Sequence, residues 1–461
     1  MKQLLILFCL ILTGCVSYGD LHSKSKPLDP QTLDARHIYR TSNNAMTTGW
    51  WNRLHDPQLN QLISVALNDS PTLQIAESRV REARQITMES AASLLPSLEF
   101  NGYVQRQKFS TFGLVPPPFN GKTFNIGDAA FNFNYEFDFW GKNREIVAAK
   151  VSEEYVAQAE LTEAQLIIST AVAHVYFQLL NATEQTEFAK ENLNVSQRLA
   201  KIVLIRAKNG IVSDLPLETA LANVQQIKLA VDQYKQEEML AKNQLAVLMG
   251  DNPFTTDIKT MKYRYYSANI ILPSPLTANL IAQRPDIAAA LARVQAATHR
   301  VNVQKARFFP DINLTALFSY QSVGLGHLFD VRSQNNAISG AVDLPIFDAG
   351  ARRAELGTKY AEFDVSVNEY NKTILNALQE TADQLATLKS LNSQLSAQMS
   401  AVTSTNRNYK LLNSRYNHGI VDYVQVLELQ QLLLKQRAML VNIQTHHTQT
   451  TVALVKALGG V

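Results

Sequence analysis

Cysteine is almost missing. The 461 residues hold two, Cys9 and Cys15, both near the start, so no disulfide framework holds this chain together. Beyond the N-terminus no apolar run approaches 20 residues, which argues against helical membrane spans. Basic runs and low-complexity segments are absent, and a net charge of +3 is too mild to argue for nucleic acid. No P-loop, dinucleotide fingerprint or HExxH is present. Gly324-Leu325-Gly326-His327 is too short for a phosphate loop. His446 and His447 are adjacent and point to different helix faces, and His174 has no partner at helical spacing. Glu237 and Glu238 read as a solvated face. The expectation is a protein without catalytic residues, metal site or cofactor. One further absence has the largest structural meaning. From Lys142 to Asn209 there is no Gly and no Pro, and no Pro follows Pro345.

What stands before the first of those runs is a strand. Phe131, Phe133, Tyr135, Phe137 and Phe139 alternate with Asn132, Asn134, Glu136 and Asp138. A period of two puts five aromatic residues on one face and polar groups on the other. That pattern suits a membrane barrel, with lipid outside and water inside. After Trp140-Gly141 the period changes to 3-4-3-4, at Leu161, Ala164, Ile168, Ala171 and Val175. A helix over the whole run would be on the order of 100 Å long.

The first residues, MKQLLILFCLILTGC, read as a secretory signal and resemble the bacterial lipoprotein lipobox at Leu12-Thr13-Gly14-Cys15. Residues 1–14 would be removed and Cys15 acylated; a plain signal peptide would leave Cys15 incidental. Val16, rather than Asp, after the Cys favours outer-membrane sorting. Residues 15–70 read as a polar tether followed by an equatorial segment. Within them Trp50-Trp51 reads as a packing anchor and Asp56-Pro57 as a helix start. Ser70-Pro71 opens a second helix, expected to run to Leu95. A β-hairpin over 98–139 follows, with a Pro-rich loop over 110–127, and then a long helical hairpin over 142–249. Gly210 reads as the left-handed cap of its first helix and Ser213 as the N-cap of its second. Residues 251–284 read as a connector.

The unit over 71–250 then recurs over 285–461. An offset of 214 takes Pro71 to Pro285, Arg79 to Arg293 and Pro96 to Pro310. Beyond the hairpin loop an offset of 209 takes Gly141 to Gly350, Arg206 to Arg415 and Gly210-Ile211-Val212 to Gly419-Ile420-Val421. The second unit therefore holds a helix, a β-hairpin over 312–347 and a helical hairpin over 351–458. Only Gly357 interrupts its first long helix.

The duplication gives four strands per chain. An open sheet cannot sit in lipid, because its edge amides would be unpaired. Four strands cannot close a barrel, since the smallest membrane barrels use about eight. Strands must therefore pool across copies; this asks for an oligomer and does not by itself choose three. Two seams on the last helix, Val424/Leu427/Gln431/Leu434/Ala438/Val441 at 3-4-3-4 spacing and Val426/Leu429/Leu433 beside it, let it pack on both sides, as in a cylinder of helices. A free coiled coil in a scaffold lipoprotein shares that periodicity but leaves the four strands unexplained. An envelope hydrolase finds no residue set.

These features resemble the outer-membrane factor family, the TolC-like ducts, in their lipoprotein NodT/OprM-type branch. The resemblance rests on Gly49-Trp50-Trp51 with Asp56-Pro57, Arg284-Pro285-Asp286-Ile287, Arg307-Phe308-Phe309-Pro310 and Pro345-Ile346-Phe347-Asp348-Ala349-Gly350, and covers the mature chain. It implies a mainly α fold with a membrane β portion. In that fold a homotrimer shares a 12-stranded barrel in outer-membrane lipid and sends a helical tube across the periplasm. It also implies a periplasmic adaptor and an inner-membrane pump, usually of resistance-nodulation-division type. The second hairpin turn would carry the gate: Val424 as the apolar closure, Glu428 as an acidic ring, with Arg415 and Tyr416 beside them. A solvated helix-face charge is the alternative for Glu428. Gln431 stands where the family usually has a basic residue, so Arg415 is the candidate for that role. Adaptor docking would fall on Arg206, Lys208, Asn209, Gly210, Ile211 and Val212, and on Asn417, His418, Gly419, Ile420, Val421 and Asp422.

Overall fold

The computed structural model describes residues 21–28, 49–259, 263–265 and 284–460. Cys15, the signal segment and most of the connector lie outside the described residues. In chain order the elements are a 3₁₀ turn at Trp50–Leu54, α1 (Pro57–Asp69), α2 (Pro71–Ala92), β1 (Ser97–Lys108), β2 (Thr123–Phe137), α3 (Lys142–Lys208) and α4 (Asp214–Leu248). The second half holds α5 (Pro285–Ala306), β3 (Asp311–Val323), β4 (Gln334–Asp343), α6 (Ala351–Asn417) and α7 (Tyr423–Ala457). Helix lengths repeat without a residue's difference: 22 for α2 and α5, 67 for α3 and α6, 35 for α4 and α7.

Several boundaries differ from the sequence reading. Strand β2 begins at Thr123, inside the stretch 110–127 read as a loop, because Thr123–Gly127 pair with Lys108–Val104. Helix α2 stops at Ala92 rather than Leu95, because Ser93, Leu94 and Leu95 bond back three residues and tighten into a turn. The strands end at Phe137 and Asp343, before the expected 139 and 347. There the chain bends so that Asp138 and Asp348 can cap α3 and α6. Ser213 precedes α4 but its side chain makes no capping bond. The chain clusters into two compact units that cut across the two repeats, each taking matching parts of both.

The first unit contains the sheet, an antiparallel meander in the order β1-β2-β3-β4. Its register puts Leu98, Phe133, Ala316 and Ile338 in one row and Phe100, Phe131, Phe318 and the one polar member Asn336 in the next. Phe137, Ile312 and Val342 form a third. This face is apolar and bare: Ile338 is 82% exposed and Leu98 67%. The opposite face carries rows such as Asn134–Thr315–Ser339 and Glu136–Asn313–Ala341. At the foot of the sheet Lys142 bridges Glu136 and Asp311, each at 2.7 Å. Trp140 stacks on Phe309 at 4.7 Å and donates its indole N–H to Pro310 O. The Arg307-Phe308-Phe309-Pro310 stretch thus holds the strand–helix junction.

The second unit has the larger core, built from Leu59, Ile63, Val172, Tyr176, Leu180, Leu245 and Val455. Trp50 is buried in it. Asp56 caps α1 through the amides of Gln58 and Leu59 and accepts the Tyr176 hydroxyl at 2.8 Å. Helix α3 holds an 18-residue stretch long and apolar enough to cross a membrane, which the sequence reading passed over; 61% of it is buried inside the protein, as in a core helix. Arg284 clamps three partners: Asp286, Glu380 and the Ala457 carbonyl at the end of α7. Gly459 closes against Arg284, and its repeat counterpart Gly250 closes against Asp69 and Pro71. Both carry φ near +80°, at +82° and +76°.

At Gly250 an added β-carbon would stand 2.5 Å from the Asp69 carbonyl oxygen, whereas at Gly210, also left-handed, nothing lies within 4 Å. Gly210→Ala is expected to cost about 1–2 kcal/mol of left-handed strain, and Gly250→Ala roughly twice that, since backbone must also move. Thermal unfolding of the two purified variants at one scan rate tests the order; equal loss would contradict the close approach.

Candidate functional site

The candidate site is the pair of turns joining α3 to α4 and α6 to α7, both in the second unit. Each helix ends in the same hydrogen-bonded cap. Ile211 N–H bonds Arg206 O at 2.8 Å and Gly210 N–H bonds Ala207 O at 3.0 Å. In the other turn Ile420 N–H bonds Arg415 O at 3.0 Å and Gly419 N–H bonds Tyr416 O at 2.8 Å. This arrangement requires a left-handed residue, supplied by Gly210 and Gly419. Asn209 and His418 turn their side chains back onto their own helices, on Ile205 O and Ser414 O.

What the repeats do not share is the next residue. Asp422 stands where Ser213 stands in the first turn. Its carboxylate accepts the Val424 amide at 3.2 Å and so caps α7. It also pairs with Arg206 from the other turn. The Arg206 hydrogen bond, then the Val424 amide, hold the Asp422 carboxyl below its usual value. Sequence reading placed Arg206 and Asp422 on separate docking turns; the structure makes them one clasp. No local signal joins residues 216 apart.

The remaining residues divide. Tyr416 packs at a tilt on Tyr423, ring centroids 4.8 Å apart. Val424 is half-buried, and Glu428, Arg415, Asn417 and Lys208 are exposed. Leu427 and Leu434 are buried against Val195, so the seam of α7 packs on α3. Val426 and Leu433, from the second seam, are buried as well. Gln431 lines a cavity of about 330 Å³ with Gln185, Phe188, Asn192, Tyr234 and Lys435. Ile211 and Ile420 are 69% and 70% exposed. Leu215, in the first turn of α4, is 76% exposed and was not singled out from sequence. These apolar side chains on two capped turns offer a surface fit for binding protein, and they carry no chemistry.

Away from the turns, His174 has a neighbour that helical spacing did not offer. Burial first, and then nearby His446 on α7, lower its affinity for a proton. His447 lies 3.1 Å from Asn392 Oδ1. No cluster of three or more metal-binding side chains occurs among the described residues.

Comparison with known proteins gives a consistent result. The family model described as outer membrane efflux protein matches residues 62–251 and 276–460, one segment on each repeat. The cation efflux system protein CusC of Escherichia coli K12 is 29% identical over 460 residues, 99% of either chain. The probable outer membrane lipoprotein SilC of Salmonella typhimurium is 27% identical, over 100% of this chain and 98% of its own. The solved structure of the outer membrane protein VceC from Vibrio cholerae is 31% identical, with a TM-score of 0.79 over 90% of this chain and 99% of that one.

The Arg206–Asp422 clasp has a pH signature. A depressed carboxyl contributes its stability above the ordinary carboxylate value and loses it as pH falls through the lower folded value. The turns should therefore stay joined at pH 7 and separate only below about pH 4. Protection of the Ile211 and Val424 amides, taken relative to the intrinsic exchange rate at each pH, should fall there, and Arg206→Ala should produce the same fall at pH 7. Unchanged exchange in Arg206→Ala would show that the pair does not hold the turns.

Proposed function

Because the chain belongs to the outer membrane efflux protein family, we propose that it is the outer-membrane exit duct of a tripartite efflux pump. It conducts passively what an inner-membrane transporter and a periplasmic adaptor hand over. One observation carries this reading: a four-stranded sheet, apolar on one face, with β1 and β4 open at its edges, continuous in sequence with two 67-residue helices. In lipid those edges must pair, and pairing β1 of one copy with β4 of the next satisfies them. Three copies give twelve strands, enough to close. Water fills the polar side and lipid meets the Leu98–Phe133–Ile338 side.

The capped turns then lie at the periplasmic end. Val424 narrows the mouth and Glu428, repeated three times about the axis, favours cations there. Arg415 and Tyr416 flank it, and the Arg206–Asp422 clasp ties one repeat's turn to the other's. Gln431 lines the cavity among α3, α4 and α7 and carries no positive charge, so Arg415 is the candidate for the lock. Exposed Ile211, Leu215 and Ile420 receive the adaptor. The pump is of resistance-nodulation-division type, and Cys15 carries the lipid anchor. Related chains are named for cation and for multidrug efflux, so the cargo follows the pump rather than the duct.

Purified protein should run as a heat-sensitive trimer and conduct in planar bilayers. Val424→Ser with Glu428→Ala should raise open conductance several-fold and reduce cation preference. A protein that never conducts, even with both changes, would refute the duct. A photo-crosslinker on Asn417→Cys should capture an adaptor in the periplasm. Capture of nothing but neighbouring copies would move the docking surface elsewhere.

A further inference from the structure

The two helical hairpins are copies, yet one has a hole where the other is filled. Helices α3, α4 and α7 wall the cavity of about 330 Å³. Helix α3 is bonded to both of the others. Gln185, 3% exposed, fixes it to α7 through Ala438 O at 2.8 Å and Asn442 Oδ1 at 2.9 Å. Ser196 fixes it to α4 by accepting the Asn223 amide at 3.1 Å. Among the described residues no hydrogen bond or ion pair joins α4 to α7 directly, and the cavity lies between them.

Equal helix lengths let the repeat offset of 209 be applied residue by residue. In the second hairpin Gln398 of α6 is 9% exposed and donates to Gln436 of α7, at 2.8 Å to its O and 2.7 Å to its Oε1. Their counterparts are Ala189 of α3 and Ile227 of α4, both on the cavity wall. A buried amide fills space in one hairpin where a methyl group leaves it open in the other. The rest of the wall has diverged too: Phe188 answers to Ala397, Asn192 to Ala401 and Tyr234 to Ile443.

The wall has a definite chemistry. Lys435 carries its one charge and makes no ion pair among the described residues; no carboxylate lines the cavity. Gln185 and Asn223 spend their nitrogens on the protein and keep their oxygens as acceptors. Asn192 also lines the cavity, and its Oδ1 is buried without a partner. A buried acceptor left unpaired is unfavourable, and turning that side chain into the cavity relieves it when an occupant donates. Phe188 and Tyr234 add aromatic surface. The volume equals that of about ten waters and stands at the small end for ligand pockets, which suits one or two rings.

We propose that this cavity binds a small aromatic acid that also carries a hydroxyl or amine donor. The carboxylate meets Lys435, the donor meets the amide oxygens, and the ring lies against Phe188 and Tyr234. Such an occupant is a polar bridge from α4 to α7, which the chain itself does not make. The positive wall rejects metal cations, so the site is distinct in chemistry from the acidic position at Glu428. Binding here does not depend on the duct reading.

Calorimetry on the full-length protein in detergent, titrated with a hydroxynaphthoate, tests this. One saturable site per chain is expected. Lys435→Met keeps the apolar stem and should weaken binding about ten-fold; the matching naphthol, which lacks the carboxylate, should bind the wild type as weakly. Ala189→Gln with Ile227→Gln rebuilds the contact that fills the second hairpin. It should abolish binding while helix content and thermal unfolding stay as in the wild type. No saturable heat up to about 1 mM would overturn the site and leave it to water. Equal binding by wild type and the filled variant would overturn it as well, by placing the ligand in the micelle or elsewhere on the chain. Unchanged affinity in Lys435→Met would overturn the choice of an anion.

Discussion

The structure depends on the hydrogen-bonding demand of strand edges in lipid. In water an open edge is satisfied by solvent; in hydrocarbon each bare amide or carbonyl costs several kcal/mol. The sheet leaves two such edges, at β1 and β4, and its greasy face rules out water as its home. Closure with other copies meets the demand, and much else follows from it. The sheet must pass into helices at one end without leaving backbone unpaired. That is the task of the junction, where Asp138 and Asp348 cap the helices, Lys142 neutralises two carboxylates and Trp140 stacks on Phe309.

The duplication answers a second need. A ring of helices requires equivalent packing at each step, and two repeats of equal helix length supply it twice within one chain. Geometry keeps the correspondence where sequence has drifted. Gly250 and Gly459 make the same close approach to the segment opening α2 or α5, although one meets Asp69 and the other Arg284. The repeats part where function is singular. Asp422 caps and clasps where Ser213 does neither, and residues 23–25 bond Asp364 on α6, whose counterpart on α3 is Tyr155.

Much of this was legible in the residues. Period-two alternation gave the strands and their facing because register follows parity. The offsets of 214 and 209 foretold equal helices because they reflect copied units. Gly210 and Gly419 announced caps, since few other residues accept that backbone. What escaped was long-range or uncompensated by pattern. Arg206 and Asp422 each looked like ordinary helix-end residues, and nothing local pairs them. His174 found its neighbour on another helix. Residues 21–28 are polar and aperiodic, so they read as a tether; Asp364, whose carboxylate Ser23 and Ser25 bond, lies 341 and 339 residues away. Ser213 has the right chemistry for a cap but not the side-chain placement.

The order of strands in the sheet also sets an order in time. Strand β2 pairs on one side with β1, its near neighbour, and on the other with β3, where Phe137 meets Ile312. Those two residues are 175 apart, and all of α3 and α4 comes between them. At synthesis rates of about 5–20 residues per second, the first hairpin exists for roughly ten to thirty seconds before its partner is made. A contact so distant is slow to form even afterwards, since the loop must close before the pairing rewards it. The strands of the first hairpin therefore wait in water without their final partner, where an isolated two-stranded ribbon is marginal at best. Its sequence must be kept from pairing with the wrong strand for longer than the hairpin itself takes to fold.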